Sequence, residues 1–67
     1  MSAARAISLL AEAQHADVAL TEKMSMLRLA AGLHDWEATE VIRADAVAAF
    51  EAMLDKSIAV QKETARG

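Results

Sequence analysis

The sequence predicts an all-α protein, an antiparallel hairpin of two long helices that pairs with a second copy in a homodimeric four-helix bundle. Three observations lead to this prediction. The chain of 67 residues has no proline and only two glycines, so little in it interrupts a helix. Gly32 is the one internal glycine, and it separates two long helix-favouring segments. A chain of this length also buries only about 60% of its unfolded surface, which makes a stable monomer marginal.

The first helix is expected over about residues 2–31, because glycine is common just after a helix C-terminus and Gly32 follows there. Asp35 then caps a second helix over about residues 36–63, with Glu37 in its first turn, where the helix dipole favours an acid. The connection of residues 32–35 is short, and short connections make neighbouring helices antiparallel. The whole chain, 1–67, is therefore expected to be a single helical-hairpin domain.

One alternative stays open in the first helix. Asp17 could cap a separate helix beginning at Val18, because aspartate is a favoured N-cap residue. No glycine or proline lies nearby to enforce such a break, so the sequence leaves both an unbroken and a broken first helix possible.

Apolar residues predict how the helices pack. The first helix carries a stripe with alternating spacings of three and four residues, typical of a helix–helix seam, namely Leu10, Ala13, Asp17, Leu20, Met24, Leu27 and Ala31, and Leu9 and Ala16 widen it. The apolar sector of the second helix covers about half of its circumference, which is wider than one neighbouring helix can cover. We therefore expect a homodimer whose interface includes Ile42, Ala46, Phe50, Met53 and Leu54.

A second group of large side chains points away from the predicted seam, close to the turn. Contiguous exposed apolar patches usually mark binding surfaces, and methionine suits surfaces that repack around a partner. We expect this patch to bind a protein partner through Met26, Leu29, Leu33, Trp36 and Arg43. The alternative is that the same side chains close the end of the bundle or belong to the dimer interface.

Few residues are candidates for catalysis or metal binding. Glu12 and His15 match the Glu-x-x-His spacing of di-iron helical bundles, and a metal-binding bundle that uses them is the alternative function. The match involves only two residues, and a bundle this small has little room for a ligand pocket. The chain also has no cysteine and no glycine-rich phosphate loop. We therefore expect no enzymatic activity, no metal and no cofactor.

Charge and hydropathy narrow the classes of partner. The net charge is −3 and the seven basic residues are scattered, which disfavours nucleic-acid binding. No apolar run approaches the roughly 20 residues of a membrane-spanning helix, and no signal peptide is recognisable, so we expect a cytoplasmic protein that does not enter membranes. The expected function is a small regulator or chaperone-like adaptor that binds a protein and masks or inhibits it, as is typical of accessory bacterial or phage proteins.

Overall fold

The computed structural model describes residues 3–66, and these residues form two helices with no strand among them. Helix α1 spans Ala3–Gly32 and helix α2 spans Trp36–Arg66. They pack side by side as an antiparallel hairpin about 49 Å long. Helix α1 runs unbroken through Asp17, so the alternative of two separate helices in the first half of the chain is wrong.

The turn between the helices is a Schellman motif centred on His34. The backbone N–H of Asp35 donates to the carbonyl of Ala30 at 3.1 Å, and that of His34 donates to the carbonyl of Ala31 at 3.0 Å. This pattern places His34 at the C′ position, where its φ of 59° lies in the left-handed region. Gly32 was expected to end the helix in this role, but it is the last helical residue and its φ is not positive.

Asp35 begins the second helix as the sequence predicts. Its carboxylate accepts a hydrogen bond from the N–H of Ala38 at 3.1 Å, and its carbonyl accepts the first helical bond, from the N–H of Thr39 at 2.9 Å. This is the geometry of an N-cap, which satisfies one of the free N–H groups of the first turn. Glu37 lies in that turn, next to the positive end of the helix dipole.

The contact between the helices is a heptad seam in which six of sixteen residues are alanine. On both helices the buried and half-buried residues recur at alternating spacings of three and four. The α1 seam consists of Ala6, Leu9, Ala13, Ala16, Leu20, Lys23, Leu27 and Ala30, and the α2 seam of Thr39, Ile42, Ala46, Ala49, Met53, Lys56, Val60 and Glu63. The alanines let the helices approach closely, and the longer side chains between them fill the remaining space.

The α1 seam is shifted toward one edge of the predicted stripe. Ala13, Leu20 and Leu27 lie in it, as do Leu9 and Ala16, which were expected to widen the stripe, but Leu10 and Asp17 are exposed. Ala6, Lys23 and Ala30 complete the contact on that edge. The reason is steric, because a stripe rich in alanine lets α2 come closer than a stripe of leucine and methionine does.

Candidate protein-interaction surfaces

The folded hairpin leaves most of its large apolar side chains in contact with solvent. The only apolar residues among 3–66 that are buried are Ala13, Ala30 and Ala46. Thirteen large apolar residues are exposed, namely Ile7, Leu10, Val18, Met24, Met26, Leu29, Leu33, Trp36, Val41, Val47, Phe50, Leu54 and Ile58. Contiguous exposed apolar patches mark interaction sites, so the distribution of these residues over the hairpin locates candidate interaction surfaces.

One long side of the hairpin, which we call the open face, carries exposed residues two helical turns apart on both helices, and the first and last of each helix's three are large and apolar. It is formed by Leu10, Asp17 and Met24 of α1 and by Trp36, Arg43 and Phe50 of α2. Between the helices on this face runs a groove in which Met24, Arg43 and Phe50 lie over seam residues. Half of the Leu10 surface and 47% of the Phe50 surface remain accessible. The six residues comprise four large apolar side chains, one acid and one base, and the polar Gln14, Ser57 and Gln61 lie beside Leu10 and Asp17.

The opposite side, the ion-paired face, has a different chemistry. Two seam lysines reach out to acids on the other helix: Lys23 Nζ lies 3.6 Å from Asp45 Oδ2, and Lys56 Nζ lies 3.6 Å from Glu12 Oε1. Long lysine stems can cover apolar seam surface while their ammonium groups stay in water. Alanines flank these pairs, at Ala19, Ala38, Ala52 and Ala59. Over the middle of the hairpin, this face therefore has charge pairs and small residues where the open face has large apolar groups.

The residues predicted to form the dimer interface divide into two sets. Ile42, Ala46 and Met53 lie in the seam, where they contact α1 of the same chain. Phe50 and Leu54 are 47% and 41% exposed, Phe50 on the open face and Leu54 at its edge. The wide apolar sector of α2 thus has one half covered by α1 and the other half uncovered, as its width implied.

The residues predicted to bind a partner also lie on two sides of the hairpin. Met26, Leu29 and Leu33 are exposed at the turn end of α1, on the side of the ion-paired face. Trp36 and Arg43 lie on the open face, where Arg43 Nη1 donates to Glu40 Oε2 at 3.3 Å.

The structure adds one residue to the first of these groups. Val41 is 62% exposed and lies one helical turn before Asp45, on the same side as Met26, Leu29 and Leu33. We call these four residues the tip patch. Sequence reasoning missed Val41 because it falls outside the apolar sector of α2.

The Trp36 ring contacts the turn. It stacks on the ring of His34, with centroids 5.7 Å apart and an interplanar angle of 25°. The left-handed backbone of His34 and the first turn of α2 together bring the two rings to this position. The indole nevertheless stays 61% exposed at the turn end of the open face.

Glu12 and His15 show no arrangement that gathers metal ligands. The Glu12 carboxylate is paired with Lys56, and residues 3–66 contain no group of three or more histidine, cysteine, aspartate or glutamate side chains placed to hold an ion. Neither helix, over the same residues, is long and apolar enough to cross a membrane.

Comparison of the chain with protein-family models, with curated proteins and with solved structures finds no match.

Proposed function

We propose that this protein is a small non-enzymatic regulator or chaperone-like adaptor, which binds a partner protein and masks or inhibits it. The proposal includes a homodimeric four-helix bundle as the working form. One observation carries it: among residues 3–66, thirteen large apolar side chains are still exposed after folding, while the buried apolar residues are three alanines. Such a surface is suited to binding other polypeptides.

The homodimer follows from the limited core of a single hairpin. Mini-proteins without disulfides or metals usually gain stability by association, since a small core rarely supplies more than about 3–5 kcal/mol. This chain has no cysteine, and large apolar residues line the length of one side. A second hairpin placed against that side would give the four-helix arrangement, in which each helix has two neighbours.

The tip patch is the surface that we assign to the partner. Leu29 and Leu33 are 66% and 71% exposed, the highest values among the apolar residues near the turn. They lie away from the open face, so a dimer formed there would leave them accessible. An amphipathic helix or an apolar groove of the partner is the kind of surface that packs against such a cluster.

The proposal is tested by placing a photo-crosslinking amino acid at position 29 and expressing the variant in its native host. A control variant carries the same group at position 55, because Asp55 is exposed on α2 and lies outside the tip patch. We expect position 29, and not position 55, to give one dominant crosslinked protein. That protein is then purified, and its affinity for the wild-type chain and for Leu29→Glu is measured by calorimetry.

A large loss of affinity in Leu29→Glu, with unchanged helicity and molar mass, would support partner binding through the tip patch. Equal crosslinking from positions 29 and 55, or undiminished affinity of Leu29→Glu, would overturn it. Loss of helicity in Leu29→Glu would show that the patch belongs to the core, and this too contradicts the proposal.

A further inference from the structure

We propose that the tip patch binds an amphipathic helix of the partner protein that carries a basic residue at each end of a short apolar stripe. This inference rests on the partner binding proposed above and adds the chemistry of the bound segment. It is derived from the charged residues around the tip patch and from the spacing between them.

The large side chains of the tip patch come from both helices at the same level. Its three α1 residues are spaced by three and four, so they form one exposed stripe that runs toward the turn. The ion pairs Glu12–Lys56 and Lys23–Asp45 show that facing residues of the two helices have numbers that sum to about 68. Val41 is therefore about level with residue 27, within the length of the α1 stripe.

A shallow groove runs along the first turns of α2 beside this stripe. It is lined by Asp35, Glu37, Ala38, Val41 and Ile42. Ala38 and Ile42 are half-buried toward α1, whereas Val41 is exposed on the outer side of the groove. A helix of a partner can lie along this groove with its apolar side chains against the tip patch, as in other complexes in which a groove receives an amphipathic helix.

Acidic side chains lie at both ends of the tip patch. Glu22 precedes the first tip-patch residue of α1 by one helical turn, and Asp45 is paired with Lys23 at about the same level. At the turn end, Asp35 and Glu37 line the groove itself. Among residues 3–66, Glu22, Asp35 and Glu37 form no salt bridge. Three carboxylates are therefore left to pair with bases of a partner.

These charges account for the net charge of the whole chain. The four acids and Lys23 together carry −3, and the chain, with 10 acids and 7 bases, also has a net charge of −3. The remaining six acids and six bases cancel. The nearby bases Arg28 and Arg43 lie on the side of the open face. The negative excess is thus concentrated around the tip patch, where it attracts a basic polypeptide and repels nucleic acid and anionic membranes.

The spacing of the acids sets the length of the bound segment. Glu37 is about level with residue 31, which is about nine residues, or about 14 Å, along the axis from Glu22. A partner helix that lies along the hairpin therefore needs an apolar stripe of about two to three turns with a lysine or arginine near each end. Its bases then reach both groups of carboxylates while its apolar side chains pack on the tip patch.

Two alanine-based peptides test the inference. Each is about four helical turns long and has leucines along one side of its middle turns. One carries lysines at both ends of the leucine stripe, and the other carries glutamates at the same positions. Both are labelled with a fluorophore, and their dissociation constants for the hairpin are measured by fluorescence anisotropy at low and at physiological salt.

Three variants of the hairpin show where the peptides bind. Glu22→Lys reverses a charge at one end of the tip patch, and Leu29→Ser removes an apolar side chain from it. The matched control is Glu51→Lys, because Glu51 is exposed on α2, about 21 Å along the axis from Glu37. Circular dichroism of each variant confirms that its helicity is unchanged.

We expect the lysine peptide to bind at least about tenfold more tightly than the glutamate peptide at low salt, and this difference to shrink at physiological salt. Glu22→Lys should weaken binding of the lysine peptide several-fold and strengthen binding of the glutamate peptide. Leu29→Ser should weaken both, because it removes apolar contact area. Glu51→Lys should leave both dissociation constants within about twofold of the wild-type values, although it changes the net charge equally.

Three results would overturn the inference. Equal affinities of the two peptides would show that the acids do not select the bound segment. Equal effects of Glu22→Lys and Glu51→Lys would show that the lysine peptide responds to net charge rather than to the tip patch. Failure of both peptides to bind would remove the basic helix as the ligand. Partner binding is measured separately by crosslinking from position 29, so a dominant crosslinked protein would keep that proposal standing even when both peptides fail.

Discussion

Arg5 Nε donates a hydrogen bond to Glu63 Oε2 at 3.2 Å, and this contact joins the first turn of α1 to the last turns of α2. Glu63 is the one buried charged residue among those that the structure describes, with a side chain only 9% exposed, whereas the Arg5 side chain is 64% exposed. The pair therefore fixes the open end of the hairpin, which lacks the covalent connection of the turn.

Arg5→Ala should lower the free energy of unfolding by about 1–3 kcal/mol, because it leaves a buried carboxylate without this donor. The exposed pair Lys23–Asp45 supplies the control: Asp45→Asn should cost less than about 1 kcal/mol. Urea denaturation at one fixed chain concentration measures the free energy of unfolding of both variants. Equal losses of stability would show that burial of Glu63 does not strengthen its ion pair.

Ala46→Leu should destabilise the hairpin, although it adds apolar surface. Ala46 is 7% exposed in a seam where the helices approach closely, and extra methylene groups at such a site cost about 1–3 kcal/mol. Ala48→Leu, at an exposed position of the same helix, should stay within about 0.5 kcal/mol of the wild type. Thermal unfolding followed by circular dichroism measures both, and a stabilised Ala46→Leu would refute the close-packed seam.

Gly32→Ala should stabilise the protein by about 0.5–1 kcal/mol. Gly32 is helical, its φ is not positive, and a Cβ added there meets no atom within 4 Å. Alanine therefore loses less backbone entropy at this position without strain. A loss of stability in this variant, measured by urea denaturation, would contradict the assignment of the left-handed C′ position to His34.

Asp35→Ala should cost about 1 kcal/mol, because the N–H of Ala38 loses its acceptor. Asp35→Asn should retain nearly all of the stability, since asparagine caps helices about as well as aspartate does. Chemical denaturation measures the free energy of unfolding of both variants. Equal destabilisation by alanine and asparagine would indicate that the charge of Asp35, rather than its capping hydrogen bond, stabilises the turn.

The hairpin could be predicted from the sequence because the residues that start and end its helices act locally. Two segments without proline, one internal glycine and the capping side chain of Asp35 are enough to give two antiparallel helices. The left-handed residue was assigned to the wrong position, since Gly32 is the usual choice and nothing in the sequence marks His34. The continuity of α1 through Asp17 could not be decided, because an aspartate at that position is compatible with both a cap and a helix interior.

The surfaces were harder to predict, for a reason visible in α1. Two stripes with the same three-four spacing share Ala13, Leu20 and Leu27. One adds three alanines, Leu9 and Lys23, and the other adds Leu10, Asp17, Met24 and Ala31. Each set combines apolar residues with one charged residue, so hydropathy does not distinguish the two stripes. Only the three-dimensional arrangement shows that the stripe with Leu10 and Met24 faces outward, with Phe50 and Trp36 beside it.

The register of the hairpin also sets the order in which its seam contacts form and are lost. Each pair of facing residues encloses the pairs nearer the turn. Once the turn has formed, each further heptad therefore packs next to helix segments that are already paired. Arg5 and Glu63 come last, 58 positions apart in the chain. Loop-closure entropy grows only logarithmically with that separation, so each added heptad costs little more than the one before it. Amide protection should fall steadily from the turn to the termini, and the two chain ends should be the first segments to exchange and the first to be cut by a protease.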